Sequence, residues 1–136
     1  MSTYLEELVQ DWWSKSEDMP SAPSNVYVSL HTADEGNQPD GSNEIDSSSA
    51  SYSRVSTSPA DWNVSGSGPT TVSNANAINF GDPTESWGTV SHFAIWDAST
   101  AGNPLLATVA LDSSKSIDSS TDEVRFDSGA LTADLD

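Results

Sequence analysis

The sequence predicts a mainly β protein, an antiparallel β-sandwich of jelly-roll-like type with one N-terminal α-helix. About seven short apolar or alternating runs are separated by segments rich in Ser, Gly, Asn, Asp and Pro, a pattern typical of short strands joined by turns. Apolar residues follow helical spacing in one stretch, close to the N-terminus. The length of 136 residues suits one domain, 1–136.

The predicted helix covers about residues 3–16. Thr3 can cap its N-terminus and Glu6 completes a capping box. An apolar stripe follows at helical spacing: Leu5, Leu8, Val9 and Trp12. The adjacent Trp12 and Trp13 cannot share one helix face. We therefore expect this helix to be a docking element, with an interface formed by Leu5, Leu8, Trp12 and Trp13.

The predicted strands follow the helix along the chain. They cover residues 25–31, 52–57, 77–80, 89–96, 105–111, 123–126 and 130–135. In the fourth of them, Phe93 and Ile95 are expected to face the core. The run 105–111 is almost continuously apolar, which predicts a fully buried strand. Residues 32–51 and 61–73 are predicted to be polar loops.

The charge balance is strongly acidic, with 21 acidic residues, four basic residues and a formal net charge of -17. Such a surface repels phosphates and anionic lipids, so we expect neither a nucleic-acid partner nor a membrane partner. Asp is twice as frequent as Glu, and Lys is scarce. In molar salt the Debye length falls to about 3 Å and like-charge repulsion is screened. The composition therefore predicts a halophilic protein, as in haloarchaea.

Catalytic and cofactor signatures are absent from the sequence. Without cysteine there is no disulfide, thiolate zinc site or thiol nucleophile. No G-x-S-x-G elbow or phosphate-binding glycine motif occurs. Pairs of carboxylates arise by chance among 21 acids, so they do not indicate a glycosidase. We expect a protein that is not an enzyme and needs no cofactor.

The acidic segment 34–46, DEGNQPDGSNEID, is the candidate site for a structural cation. Hard cations such as calcium take six to eight oxygen ligands. The candidate ligands are the carboxylates of Asp34, Glu35, Asp40, Glu44 and Asp46. The segment lacks the Asp-x-Asp-x-Asp-Gly order of the helix-loop-helix calcium site, and a solvated acidic loop is the favoured alternative.

Three further positions carry weaker signals. His31 and His92 have no second histidine at a chelating interval, so we expect hydrogen bonds within the sheet to satisfy both rings. Asn63 begins an N-glycosylation sequon, Asn-Val-Ser. Such tripeptides are frequent by chance, and this one indicates an exposed loop.

Five stretches, in this order, cover most of the chain. They are YLEELVQDWW, VYVSLHTADEG, NEIDSSSASYSRV, NANAINFGDPTESWGTVSHFAIWDASTAGNPLLATVAL and VRFDSGALTADLD. The segments LHTAD and WGTVSHFAIWDA are the most specific. Together the stretches resemble a family of small tailed-virus proteins described as tail-fibre, minor tail or head-decoration proteins. The resemblance implies a β-sandwich that is a non-enzymatic virion component, with no catalytic residues to carry over.

The expected function is that of a structural protein on the virion exterior, at a head-decoration, turret or tail position. The salt signature adds a haloarchaeal host, in whose cytoplasm assembly would occur. Expected partners are other virion proteins and sister subunits, in a symmetric trimer or pentamer, and a host surface glycoprotein. A carbohydrate-binding module is the alternative, with exposed rings of Trp62, Trp87 or Trp96 as stacking faces for host glycans. A small hydrolase is the third hypothesis.

The charge balance predicts a steep salt dependence of stability. Moving the protein from molar salt to about 0.1 M lengthens the Debye length to about 10 Å, so repulsion among the 21 acids should lower the melting temperature or unfold the chain. Thermal unfolding followed by circular dichroism measures this. A melting temperature that stays constant across that range would contradict the halophilic interpretation.

Overall fold

The computed structural model describes residues 1–46, 48 and 51–135 and confirms a mainly β fold with one N-terminal helix. The helix, α1, spans Thr3–Ser14, and a short 3-10 turn spans Pro59–Asp61. The strands are β1 Val26–His31, β2 Val55–Thr57, β3 Trp62–Ser65, β4 Thr70–Asn74, β5 Ile78–Asn79, β6 Gly88–Trp96, β7 Val109–Ile117, β8 Arg125–Phe126 and β9 Thr132–Leu135.

The strands form three antiparallel sheets. The largest has the order β2-β1-β6-β7, the second β3-β4-β9, and the third pairs β5 with β8. In the largest sheet, Val28 lies opposite Ile95 and Leu30 opposite Phe93. Because side chains alternate along a strand, these four residues share one face of the sheet. This face is apolar and meets the other two sheets.

The hydrophobic core lies between the sheets and draws on all three of them. Phe93 and Ile95 are 1% and 6% exposed and belong to the buried cluster. Ile78 of β5, Phe126 of β8 and Ala133 of β9 belong to the same cluster. The opposite face of β6 is also buried, because Ala94 and Trp96 are 0% and 3% exposed. Two layers therefore cover β6, one apolar and one containing polar groups.

The helix is attached through its first turn. Its N-cap is Ser2 rather than the predicted Thr3: the Ser2 hydroxyl accepts from the Leu5 N–H at 3.2 Å and donates to the Pro104 carbonyl at 2.5 Å. The Thr3 N–H donates to the Asn37 carbonyl at 2.8 Å. None of the helical residues Thr3–Ser14 is buried. Among the described residues, no helix is long and apolar enough to cross a membrane.

The prediction of a loop over residues 61–73 is wrong, because this range contains β3 and most of β4. These strands form a hairpin in which Val64 lies opposite Val72, and β4 also pairs with β9. The hairpin is rich in Thr, Ser and Asn, a composition that is also typical of loops. Pairing on both sides of β4 outweighs this weak local preference for a loop. The hairpin turns at Gly66, whose φ of +92° favours glycine.

The predicted buried strand 105–111 is also wrong in position and in environment. The N–H groups of Leu105 and Leu106 both point to the Ile95 carbonyl, which bends the chain before β7 begins at Val109. From there β7 continues through the polar run Asp112–Ser116, which is exposed. The strand lies at the edge of its sheet and pairs with β6 alone, so polar side chains are tolerated there.

The position of Ile95 in the core predicts a large cost for its truncation. Replacing Ile95 with Ala should lower the free energy of unfolding by about 2–5 kcal/mol, because burial is lost and a cavity remains. Chemical denaturation of the variant measures the change. The control Val64→Ala removes a side chain that is 68% exposed and should cost far less. Equal effects of the two substitutions would contradict the assignment of Ile95 to the core.

Candidate functional site

The carboxylate of Glu35 organises the loop that follows β1. It accepts hydrogen bonds from the backbone N–H groups of Asp40, Gly41 and Asn43 at 3.0, 2.9 and 2.7 Å. The Nδ1 atom of His31 lies 2.8 Å from its Oε1 atom, and the Glu35 side chain is 4% exposed. Successive N–H groups that converge on an anion form a favourable concavity for it. The loop therefore folds around this carboxylate.

The electrostatics of Glu35 follow from the same contacts. Burial alone would raise the pKa of the Glu35 carboxyl, but hydrogen bonds from His31, Asn43 and Gly41 hold that pKa below its usual value. Hydrogen bonds to the charged form favour ionisation. The group is therefore a buried anion at neutral pH, and residues of this chain donate the hydrogen bonds that stabilise it.

His31 continues the network across the outer face of the largest sheet. Its ring is fully buried and stacks on Trp96, with ring centroids 6.5 Å apart and planes 11° apart. Its Nε2 atom lies 2.7 Å from the Ser29 hydroxyl oxygen, which also accepts from the Trp96 indole N–H at 2.7 Å. In the neutral imidazole, Nδ1 donates to Glu35 and Nε2 accepts from Ser29, so every polar atom has a partner.

Arg54 also packs on the ring of Trp96. Its guanidinium carbon lies 4.0 Å from the indole ring centroid, a cation–π arrangement. The Nε and Nη2 atoms donate to Glu44 at 2.8 and 2.7 Å, and Nη1 donates to the carbonyls of Ala98 and Ala101. This bidentate geometry is the strong form of an arginine–carboxylate pair. Arg54 therefore joins the segment 98–101 to the sheet.

Tyr52 links this ion pair back to β1. Its hydroxyl donates to Glu44 at 3.0 Å and accepts from the Leu30 N–H at 3.0 Å. Burial, with the nearby Glu44 charge, raises the pKa of the Tyr52 phenol. The phenol therefore remains a donor. We call Ser29, His31, Glu35, Glu44, Tyr52, Arg54 and Trp96 the outer-face network.

Part of the network has the connectivity of a catalytic triad. Ser29, His31 and Glu35 are joined in that order at 2.7 and 2.8 Å, as a nucleophile, a base and an orienting carboxylate would be. Ser29 is fully buried, however, and its oxygen already accepts from Trp96. A nucleophile must reach a substrate carbonyl close to oxyanion-stabilising donors. The buried position favours a structural role over hydrolysis.

The candidate cation ligands are separated by their individual partners. Glu35 and Glu44 belong to the outer-face network; Asp34 accepts from the Gly36 N–H, Asp40 from the Ser42 N–H and Asp46 from the Ser48 N–H. Aspartate side chains often close such local turns. Among the residues with described positions, no group of three or more His, Asp or Glu side chains could hold a metal ion. A cation site in this segment stays a prediction; Asp34, Asp40 and Asp46 are exposed, as in a solvated loop, whereas the Glu35 side chain is covered.

The tryptophans considered for sugar stacking differ in exposure. Trp87 and Trp96 are 4% and 3% exposed. Trp87 packs edge-on against Tyr52 at 5.3 Å, and the Trp96 ring contacts both His31 and Arg54. Trp62 is partly exposed, and its indole N–H donates to Thr57 at 2.9 Å. Two of the three rings therefore offer no free face to a sugar.

Two other positions named from the sequence lie on strands. Asn63 is exposed on β3, so the sequon is in a strand rather than in the expected loop. His92 lies opposite His31 in the pairing of β1 with β6, and its Nδ1 atom is 2.8 Å from the Ser91 hydroxyl.

The largest exposed aromatic groups are on α1. Trp12 and Trp13 are 58% and 70% exposed. Leu5 and Leu8 are partly buried, and they line a cavity with the segment 19–23, which runs back beside the helix. The leucines predicted for an interface are therefore partly covered by their own chain, whereas both tryptophans face solvent.

Comparison with known proteins shows a family match over nearly the whole chain. The family model described as Podophage GP4 fiber I protein gp80 matches residues 1–134. A search of curated proteins found no match.

The hydrogen bonds of Glu35 predict a pH-dependent cost for its substitution. Glu35→Gln should lower the free energy of unfolding by about 1–3 kcal/mol at pH 7, because an amide cannot satisfy four donors as a carboxylate does. Because folding lowers the pKa of Glu35 from its ordinary value of 4.5, the charged carboxylate stabilises the fold at pH values above 4.5. This contribution is lost as the pH falls through the folded-state pKa. Denaturation from pH 7 to pH 3 should therefore show the two proteins converging.

Exposed Glu7 provides the matched control. Glu7→Gln removes the same charge from α1 without removing a buried hydrogen bond, so its cost should stay within about 0.5 kcal/mol. A Glu35→Gln cost that is the same at pH 7 and pH 3 would contradict the assigned role of the charged carboxylate.

Proposed function

Because the chain belongs to the Podophage GP4 fiber I protein gp80 family, we propose that it is a non-enzymatic structural component on the tail exterior of a tailed virus. The family match over residues 1–134 carries this proposal. The fibre description favours the tail over the head-decoration and turret positions. The outer-face network is consistent with a structural role, because its polar groups hold loops onto the sheet rather than facing a substrate.

We further propose that the chain assembles with sister subunits and other virion proteins through α1. The helix exposes Trp12 and Trp13, and large aromatic residues are typical anchors of protein interfaces. The helix is held at its first turn and is partly covered by segment 19–23, so the face that carries the two tryptophans is the part available for contact. Repeated copies on a virion obey rotational symmetry, which is consistent with a trimer or a pentamer.

A haloarchaeal host is the setting that the charge supports. The net charge of -17 opposes contact between copies at low salt, and molar salt screens that repulsion while apolar burial persists. The proposed sequence of events is synthesis and assembly in the host cytoplasm, followed by exposure to brine on the particle. A protein on the tail exterior would be placed to contact a host surface glycoprotein. Burial of the Trp87 and Trp96 rings disfavours the alternative in which those rings stack on host sugars.

Virion imaging tests this proposal. Antibodies against the chain, labelled with gold, should bind to tails when virions are viewed by electron microscopy. Virions that carry Trp12→Ser with Trp13→Ser should lose the label, because interface aromatics contribute about 2 kcal/mol or more each. The protein itself should remain folded, since neither ring is buried.

The matched control is Val64→Ser, which changes a side chain that is 68% exposed on β3; it should leave the label in place. Labelling of heads would contradict the tail position. Full incorporation of the double tryptophan variant would contradict the role of α1 while leaving the virion function intact.

A further inference from the structure

Lys115 differs from the other basic residues in having no carboxylate partner. Those three form ion pairs: Lys15 with Asp11, Arg54 with Glu44 and Arg125 with Asp127. No carboxylate in the described part of the chain lies within 4.0 Å of the Lys115 amino group, although the chain has 21 acids. The ammonium instead lies 5.2 Å from the centroid of the Phe126 ring. An exposed cation without a partner is a complement for an acidic group from outside the chain.

Lys115 and Arg125 line a groove between β7 and β8. The cavity there has a volume of about 230 Å³, and Leu111 and Ala130 supply apolar walls. Leu111 and Lys115 both lie in the stretch of β7 where its pairing with β6 shifts register, so the apolar wall and the cation belong to the same irregular part of the strand. Asp112 and Asp127 also border the groove, and Asp127 is already paired with Arg125. The groove therefore combines a free cation with an apolar surface.

One exposed stripe of α1 has the complementary pattern. Glu6, Val9 and Trp13 are spaced at i, i+3 and i+7, which places them on one helix face. All three are exposed, Val9 at 36% and Trp13 at 70%. The rise of an α-helix separates Glu6 from Trp13 by about 10 Å. The stripe offers an acid at one end and an aromatic ring at the other.

The helix and the groove lie at opposite ends of β6 within one copy. Lys115 pairs with Val90, close to the start of β6. The helix is tied to Pro104, which forms a bridge with Trp96 at the end of β6. Six strand residues separate these points by about 20 Å. A contact between the stripe and the groove therefore has to join two copies.

We propose that the stripe Glu6, Val9 and Trp13 of one copy docks into the β7–β8 groove of a second copy. Glu6 pairs with Lys115, and Trp13 packs on Leu111 and Ala130. A helix that lays one face into a groove is a common mode of recognition. Because the two surfaces differ, the contact is head-to-tail, and repetition closes a ring when the rotation allows. This inference rests on the proposed assembly of the chain through α1.

A charge-swap experiment tests the pairing. Association is measured by sedimentation equilibrium at the lowest salt in which the wild-type protein stays folded, so that charges are least screened. Glu6→Lys and Lys115→Glu should each weaken association at least tenfold, and the two substitutions combined should restore it. The loss with Glu6→Lys is diagnostic, because this change reduces the net negative charge and would otherwise favour association.

The controls separate this contact from a general effect of charge. Glu7→Lys makes the same change one position away from the stripe, and Lys15→Glu reverses a cation outside the groove; both should alter association less than twofold. Circular dichroism verifies the fold of each variant, and Lys115→Ala replaces Lys115→Glu if the latter unfolds.

Two results would overturn the inference. One is a wild-type protein that is monomeric at every salt concentration in which it folds. The other is a combined variant that associates no better than the single ones. Assembly could be lost in the variant with Trp12→Ser and Trp13→Ser while the combined charge swap fails to restore association. In that case α1 does not dock into the β7–β8 groove, and the proposed function stands. Absence of the chain from virions would instead remove the proposed function.

Discussion

The buried carboxylate of Glu35 is the interaction on which the outer face of the largest sheet depends. A carboxylate that is 4% exposed is stable in a protein when hydrogen bonds replace its lost water. Three backbone N–H groups and His31 provide them, and in return the carboxylate fixes the loop 36–43 and the orientation of the His31 ring. That ring supports Trp96, on which Arg54 lies. Apolar packing therefore defines one face of β6, and a connected set of polar contacts defines the other.

The same principle limits how copies can associate. Exposed acids cover much of a chain with a net charge of -17. By contrast, N–H donors within the chain stabilise the charge of Glu35, and Arg54 pairs with the partly buried Glu44. Any contact between copies has to avoid placing acid against acid, or rely on salt to screen the repulsion. Exposed tryptophans on α1 and an unpaired lysine on β7 are surfaces that meet this constraint.

Periodicity in the sequence was sufficient to predict α1, β1 and β6, because each has an apolar pattern strong enough to appear without tertiary context. It failed at β3, β4 and β7, where Thr, Ser and Asp occupy strands that exist through pairing with distant segments. The acidic segment 34–46 is ambiguous from sequence for a related reason: an acid-rich loop has the same composition whether it binds a cation or folds around one of its own carboxylates. One signal was present, since His31 and Glu35 flank the end of a strand four residues apart. Only the three-dimensional geometry shows that His31 and Glu35 are in contact and are not merely four residues apart by chance. Likewise, the sequence does not reveal that Lys115 lacks a carboxylate partner.

Hydrogen exchange at the backbone N–H groups of Gly41 and Asn43 tests the central role of Glu35 most directly. Both amides lie in a loop, yet both donate to the buried carboxylate. The account predicts that they exchange about as slowly as the amides of β6, because they open only when the outer-face network is lost. In Glu35→Gln they should exchange much faster while β6 stays protected. Rapid exchange of Gly41 and Asn43 in the wild-type protein, at the rate of exposed loop amides, would contradict the account.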